Sequence, residues 1–97
     1  MSAHLMTEKE FSQQIADLAV AMGWKHYHPW TSIHSVAGWP DFVLCRPPRL
    51  IFAEVKTDNG KLTAAQREWL ETLGQAPHVE TFCWRPSDFE EIVALLR

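Results

Sequence analysis

Two acids and a lysine stand out by type and spacing. Glu54 and Lys56 close the apolar run Leu50-Ile51-Phe52-Ala53, and Asp41 follows Gly38-Trp39-Pro40, thirteen positions before Glu54. Alternate residues of a strand share a face, so Glu54 and Lys56 point one way while Val55 points into the core. If the strands carrying Asp41 and Glu54 form a hairpin, the two carboxylates meet near its open end. Two carboxylates there can hold one or two Mg²⁺ ions, which take oxygen ligands and keep several waters. Lys56 can then orient or deprotonate an attacking water, or neutralise charge on a phosphorane-like centre. The set suits phosphodiester cleavage. A bare Glu-x-Lys is a poor signal, because a surface ion pair of that kind is worth well under about 1 kcal/mol. An Asp after proline, then an apolar strand, then Glu-Val-Lys is considerably more specific.

The elements needed to position these groups are legible around them. Thr7 to Met22 reads as a helix, with Phe11, Ile15, Leu18, Ala19 and Met22 at helical spacing. Thr7 and Glu10 have capping-box spacing, and Gly23 ends the helix. Trp24 to Pro29 alternates like a short strand, and Thr31 to Trp39 reads as a loop. Asp41 to Cys45 is a second strand. Arg46-Pro47-Pro48-Arg49 forces a turn, since two prolines cannot continue a ladder. Leu50 to Lys56 is the third strand, and Asp58-Asn59-Gly60 is a turn. Thr63 to Leu73 is a second helix with Ala65, Trp69, Leu70 and Leu73 on its apolar face; Thr63 and Gln66 again have capping-box spacing. After a break at Gly74 to Pro77 comes a fourth strand, His78 to Trp84. Pro86 and Ser87 open a last helix, with Glu90 at capping-box spacing and Phe89, Ile92, Val93 and Leu96 as its buried stripe. The order αβββαβα predicts a mixed α/β domain with helices covering a four-stranded sheet.

With these residues in place, the chain resembles the VRR-NUC domain, a family of the PD-(D/E)XK nuclease superfamily. The resemblance is carried by Glu8 through Phe11, Gly23-Trp24, Tyr27-His28, Ala37 through Asp41, Leu50 through Lys56, Leu62 through Gln66 and Trp84-Arg85-Pro86, and spans about residues 7–92. It implies a restriction-endonuclease-like core with a mixed four-stranded sheet, and a Mg²⁺- or Mn²⁺-dependent phosphodiesterase acting on DNA. The length is similar to that of stand-alone members from bacteriophages and bacteria. These are associated with homodimers that act on branched DNA, including four-way junctions. By the same resemblance Asp41 and Glu54 match the metal-binding carboxylates, with the main-chain carbonyl of Val55 beside them, and Lys56 matches the catalytic lysine. Gln66 matches the glutamine of the following helix, although capping Thr63 would also explain it. The family's acid on the first helix matches Glu8 or Glu10. Glu8 is preferred, because it shares a helix face with Phe11 and Ile15 while Glu10 is accounted for by the capping box.

Other residues carry weaker signals. Lys25, Arg46, Arg49, Lys61, Arg67 and Arg85 are candidates for DNA phosphate contacts, Lys61 and Arg67 most of all because they flank the entry to the second helix. For each, a solvated surface charge is the competing reading. His28 and His34 flank the loop before Asp41 as structural or phosphate-contacting residues. Trp30 and Trp39 frame the same loop; both read first as packing residues, and Trp30 could also stack on a base.

Bulk properties narrow the classes further. Ninety-seven residues, 46% of them hydrophobic and 22% charged, make one ordinary globular domain. A net charge of −3 and a pI near 5.9 argue against DNA binding by bulk charge alone. That balance weighs against a catalytically silent DNA-binding module and less against a metal nuclease, whose acidic site is neutralised by its ions. Cys45 and Cys83 lack zinc-ligand spacing and read as buried thiols in a reduced compartment. With no apolar leader and no stretch of membrane-spanning length, a cytoplasmic location is expected.

Overall fold

The computed structural model describes residues 5–29 and 36–97. Trp30 and His34, together with most of the loop before the Gly-Trp-Pro-Asp motif, lie outside the described residues.

The first amphipathic run forms α1 (Glu8–Ala21). Its start is fixed by the expected reciprocal cap: Thr7 Oγ1 accepts from the Glu10 amide, and Glu10 Oε1 accepts from the Thr7 amide, both at 3.1 Å. Gly23 follows at φ +80°, a conformation glycine adopts without a side-chain penalty. The chain then enters β1 (Lys25–Tyr27), shorter than expected and exposed along its whole length.

β2 (Phe42–Arg46) and β3 (Arg49–Val55) form the predicted hairpin, closed at Arg46↔Arg49 by Pro47 and a cis Pro48. α2 (Ala64–Gly74) carries the chain over to β4 (Val79–Trp84), which pairs parallel to β3. The sheet order is β1-β2-β3-β4, antiparallel except for that last pair. The expected four-stranded mixed sheet is therefore present.

The chain end differs from expectation. Ser87 and Glu90 do not form a capping box. A 3₁₀ turn over Pro86–Asp88 comes first, and α3 (Phe89–Leu96) follows. The Asp88 carboxylate accepts the Arg85 amide at 3.0 Å, and the Ser87 amide donates to Asp58 Oδ1 at 3.0 Å. A proline entering the turn and an acid two positions on displaced the serine cap.

The two faces of the sheet have different contents. Ile51, Ala53 and Val55 on β3 and Phe42 and Leu44 on β2 point into a core shared with Phe11, Ile15 and Ala19 of α1 and Ile92 and Leu96 of α3. Phe52 and Glu54 alternate to the other side, where Trp39 packs edge-on against Phe52 and against Trp69 of α2. No helix among the described residues is long and apolar enough to cross a membrane. Cys45 and Cys83 are free and half-buried.

Candidate active site

The hairpin register brings the two acids together. Phe42 pairs with Ala53, so one step further along places Asp41 opposite Glu54. Asp41 then caps the open end: its Oδ2 accepts the Val55 amide at 2.9 Å. Its own carbonyl lies 2.7 Å from His28 Nδ1, and the His28 ring stacks on Phe42 at 4.3 Å. His28 thus sits behind the acid and braces it.

Glu54 is 3% exposed, and its Oε2 is buried with no hydrogen-bond partner. Gln66 Nε2 donates to the other oxygen, Oε1, at 3.1 Å, while Gln66 Oε1 accepts the Thr63 amide at 2.9 Å. The cap and the site contact, which looked like competing explanations of Gln66, are made by the two ends of one amide. Burial pushes the Glu54 carboxyl up to about 9, helped by the neighbouring Asp41 side chain and by the Glu8 charge; Lys56 opposes the shift. The Glu8 carboxylate and the Lys56 ammonium are therefore within electrostatic reach of Glu54. Glu10 is engaged at the helix cap.

Gly38, at φ +84°, lets the motif approach α2. A side chain there would meet the Ala65 carbonyl carbon at 2.5 Å, its oxygen at 2.6 Å and its Cβ at 2.8 Å. Gly38, Trp39, Asp41, Glu54 and Gln66, with Pro29, line a cleft of about 420 Å³ that opens over the acid pair.

The acid pair fits a hard divalent cation. Among the described residues no three His, Cys, Asp or Glu side chains converge as a ready-made ligand set. Mg²⁺ does not require one, because it is commonly held by one or two carboxylates with several waters. The donorless Oε2 of Glu54 is the atom that such an ion would satisfy, since a buried carboxylate oxygen without a partner is costly.

The basic candidates separate along the hairpin. His28, Lys61 and Arg67 belong to the end that carries Asp41 and α2, and Lys61 and Arg67 are exposed. Lys25 pairs with Cys45, four residues from Asp41 along β2, or about 13 Å. Arg46 and Arg49 lie at the turn end, turned inward. Arg46 donates to the carbonyls of Met22, Leu96 and Arg97, and Arg49 holds Glu80 and the Leu95 carbonyl. Both guanidinium groups also stack on Trp24, 4.6 and 5.1 Å from its ring centre. They latch the end of α3 instead of presenting charge to a ligand. Arg85 is likewise turned inward, onto the carbonyls of Thr57 and Gly60.

The VRR-NUC domain profile matches residues 1–84, most of the chain. The chain belongs to the VRR-NUC domain family. Its fold agrees with a solved structure described as a VRR_NUC domain protein: TM-score 0.69 at 17% identity, covering 96% of this chain and 87% of the other. No curated protein matches the sequence. Membership of the VRR-NUC family makes this a nuclease-type domain, with DNA as the implied substrate and divalent-metal use suggested.

Close contacts that matter at the site were hidden from sequence reasoning. Gly38 was visible as part of a motif, but its contact with Ala65 depends on the approach of a helix 27 residues further on. The bracing of Asp41 by His28 carried no signal beyond the proximity of a histidine to the motif.

Proposed function

We propose that this VRR-NUC protein is a Mg²⁺- or Mn²⁺-dependent endonuclease that acts as a homodimer on branched DNA, with four-way junctions as its preferred substrate. The observation carrying the reading is the buried, donorless Oε2 of Glu54 opposite Asp41, at the end of a cleft that Lys56 reaches by its charge. Asp41, Glu54 and the Val55 carbonyl would hold the ion, with Glu8 as a third acid. The chemistry supplied by a divalent ion there is polarisation of a phosphate oxygen and acidification of a water.

The chain's own groups do the rest. Gln66 ties down Oε1 of Glu54 and would leave Oε2 free for an ion. The Val55 amide fixes Asp41 in the same way. The Lys56 ammonium orients the water attacking the phosphorus, or offsets charge that grows on the phosphoryl oxygens. Lys61 and Arg67 bind flanking phosphates, and Lys25 reaches phosphate further along the duplex. A four-way junction has approximate two-fold symmetry, so a two-fold dimer sets two such sites on two strands. One chain of 97 residues has little surface with which to grip a branched duplex alone.

The test is cleavage of labelled four-way junction, flap, single-stranded and linear duplex DNA in Mg²⁺ and in Mn²⁺. The junction should be cut best, and Lys56→Ala should lower the rate by about 100-fold or more. Absence of cleavage on every substrate with both ions would sink the enzyme reading. Preference for flaps would replace the junction with a flap or nicking specificity. Sedimentation at working concentration should give a dimer; a monomer would remove the two-site argument.

A further inference from the structure

We infer that Arg85 is a positioning residue for Lys56, holding the loop against which the lysine side chain lies. The inference rests on the nuclease reading for its catalytic consequence, but its structural basis is independent of it. Arg85 Nη1 donates to the carbonyls of Thr57 and Gly60 at 2.6 Å each, and the Asp58 carbonyl lies at 3.5 Å. Bonds from a charged donor are shorter and stronger than neutral ones, so a single guanidinium draws the loop 57–60 around itself.

The loop is a closed unit. The Gly60 amide donates back to the Thr57 carbonyl at 3.1 Å. The 3₁₀ turn that follows β4 also grips it, through the Ser87 amide on Asp58 Oδ1 at 3.0 Å. Lys56 enters the loop with its own amide on the Trp84 carbonyl at 3.0 Å. Apart from the loop's own Gly60–Thr57 bond, these holds on the main chain after Lys56 come from residues 84–87.

The link to the lysine side chain runs through Gly60. A Cβ on Gly60 would lie 3.5 Å from Lys56 Cδ and 3.1 Å from Thr57 Oγ1. The aliphatic stem of Lys56 thus runs beside a glycine whose carbonyl is held by Arg85. Lysine is long and flexible, and its ammonium is a point charge without preferred direction. A rigid wall beside the stem limits where that ammonium can go. Arg85 supplies the wall's rigidity from outside the cleft and touches neither the acid pair nor Lys56 itself.

Steady-state cleavage by full-length wild type, Arg85→Ala and Arg85→Gln on whichever of the four DNAs the wild type cuts tests this. Gln keeps one neutral donor for the carbonyls and guards against a variant that fails to fold. In both variants kcat should fall, by about 10–100-fold for Ala and less for Gln. KM should stay within about threefold, because no substrate contact is lost. In a Lys56→Ala background the Arg85 substitutions should add no further loss, since the residue acts through Lys56. A loss that multiplies with that of Lys56→Ala would overturn the inference, as would a rise in KM with kcat intact, which would make Arg85 a phosphate contact. A second readout does not need activity. In ¹³C-lysine-labelled protein, side-chain relaxation should show Lys56 restrained in wild type and freed in both variants, with the other lysines unchanged. An equally mobile Lys56 in all three proteins would also overturn it. If the wild type cuts no DNA, the nuclease reading fails separately, and the relaxation result alone decides the positioning claim.

Discussion

At the scale of a single residue, Glu54 couples the site to pH. Burial first, then the neighbouring Asp41 side chain, raise its pKa from an ordinary 4.5 to about 9, with Lys56 offsetting part of the rise. The unfolded chain releases that proton at the ordinary value. Between 4.5 and about 9 the metal-free folded protein therefore holds a proton that the unfolded chain has lost. Stability from this group is fully present below the ordinary value and is lost as pH rises through the folded one. At roughly 1.4 kcal/mol per unit, the loss at neutral pH is a few kcal/mol. Glu54→Gln keeps the shape and cannot ionise. Without metal it should melt about 5 °C or more above wild type at pH 8, and close to wild type at pH 4.5. Thermal melts in chelator at the two pH values check this; an equal shift at both would remove ionisation as the cause. The same protonation opposes metal binding, so a divalent ion that occupies Oε2 must displace a proton and will bind more weakly as pH falls.

At the scale of elements, what was legible in the sequence was what is encoded locally. Two of the three expected capping boxes form, Thr7 with Glu10 and Thr63 with Gln66, because each closes within one turn of helix; Ser87 with Glu90 gives way to the 3₁₀ turn. The Pro47-Pro48 turn and the alternation through Glu54 and Lys56 set the hairpin, and that hairpin sets the acid pair. What escaped depends on distant partners. Arg46 looks in sequence like any turn cation, yet its partners Met22 and Leu96 are 24 and 50 residues away. Gly38 is another such case, and it can be separated from a merely flexible glycine. Gly23 and Gly38 both have positive φ, but nothing lies within 4 Å of a Cβ at Gly23, whereas one at Gly38 strikes the Ala65 main chain. Gly23→Ala should therefore cost only conformational strain, about 1–2 kcal/mol, and leave activity intact. Gly38→Ala adds a main-chain collision that separates the motif from α2, for a total of about 3–5 kcal/mol and at least about a tenfold loss of cleavage. Denaturant unfolding of the pair, with cleavage rates measured where both are folded, checks this. Equal destabilisation would mean that the loop does not interlock with the helix.

At the scale of the whole molecule, net charge and site charge have the same sign, and that makes DNA binding conditional. The chain carries −3 overall, and Glu8 and Asp41 add negative charge beside Glu54, where the proposed mechanism puts the scissile phosphate. Inward-facing Arg46, Arg49 and Arg85 are engaged with carbonyls or with Glu80, so they contribute little to a phosphate-binding surface. Exposed Lys61 and Arg67 remain near the site, too few for tight binding by counterion release alone. A divalent ion held as proposed at Asp41 and Glu54 would reverse the local sign and supply the missing attraction. Lys56→Ala, expected to slow cleavage, allows the complex to be titrated: in Mg²⁺ it should bind labelled junction at least about tenfold more tightly than in chelator at matched ionic strength. The double variant Asp41→Asn with Glu54→Gln removes the ion's ligands and the repulsion together. It should bind better than wild type in chelator and gain nothing from Mg²⁺, a reversal that loss of a structural ion would not produce. Binding of Lys56→Ala that is equally tight in chelator and in Mg²⁺ would mean that the phosphate is held by the protein's own cations, and that the acid pair does not govern access to the cleft.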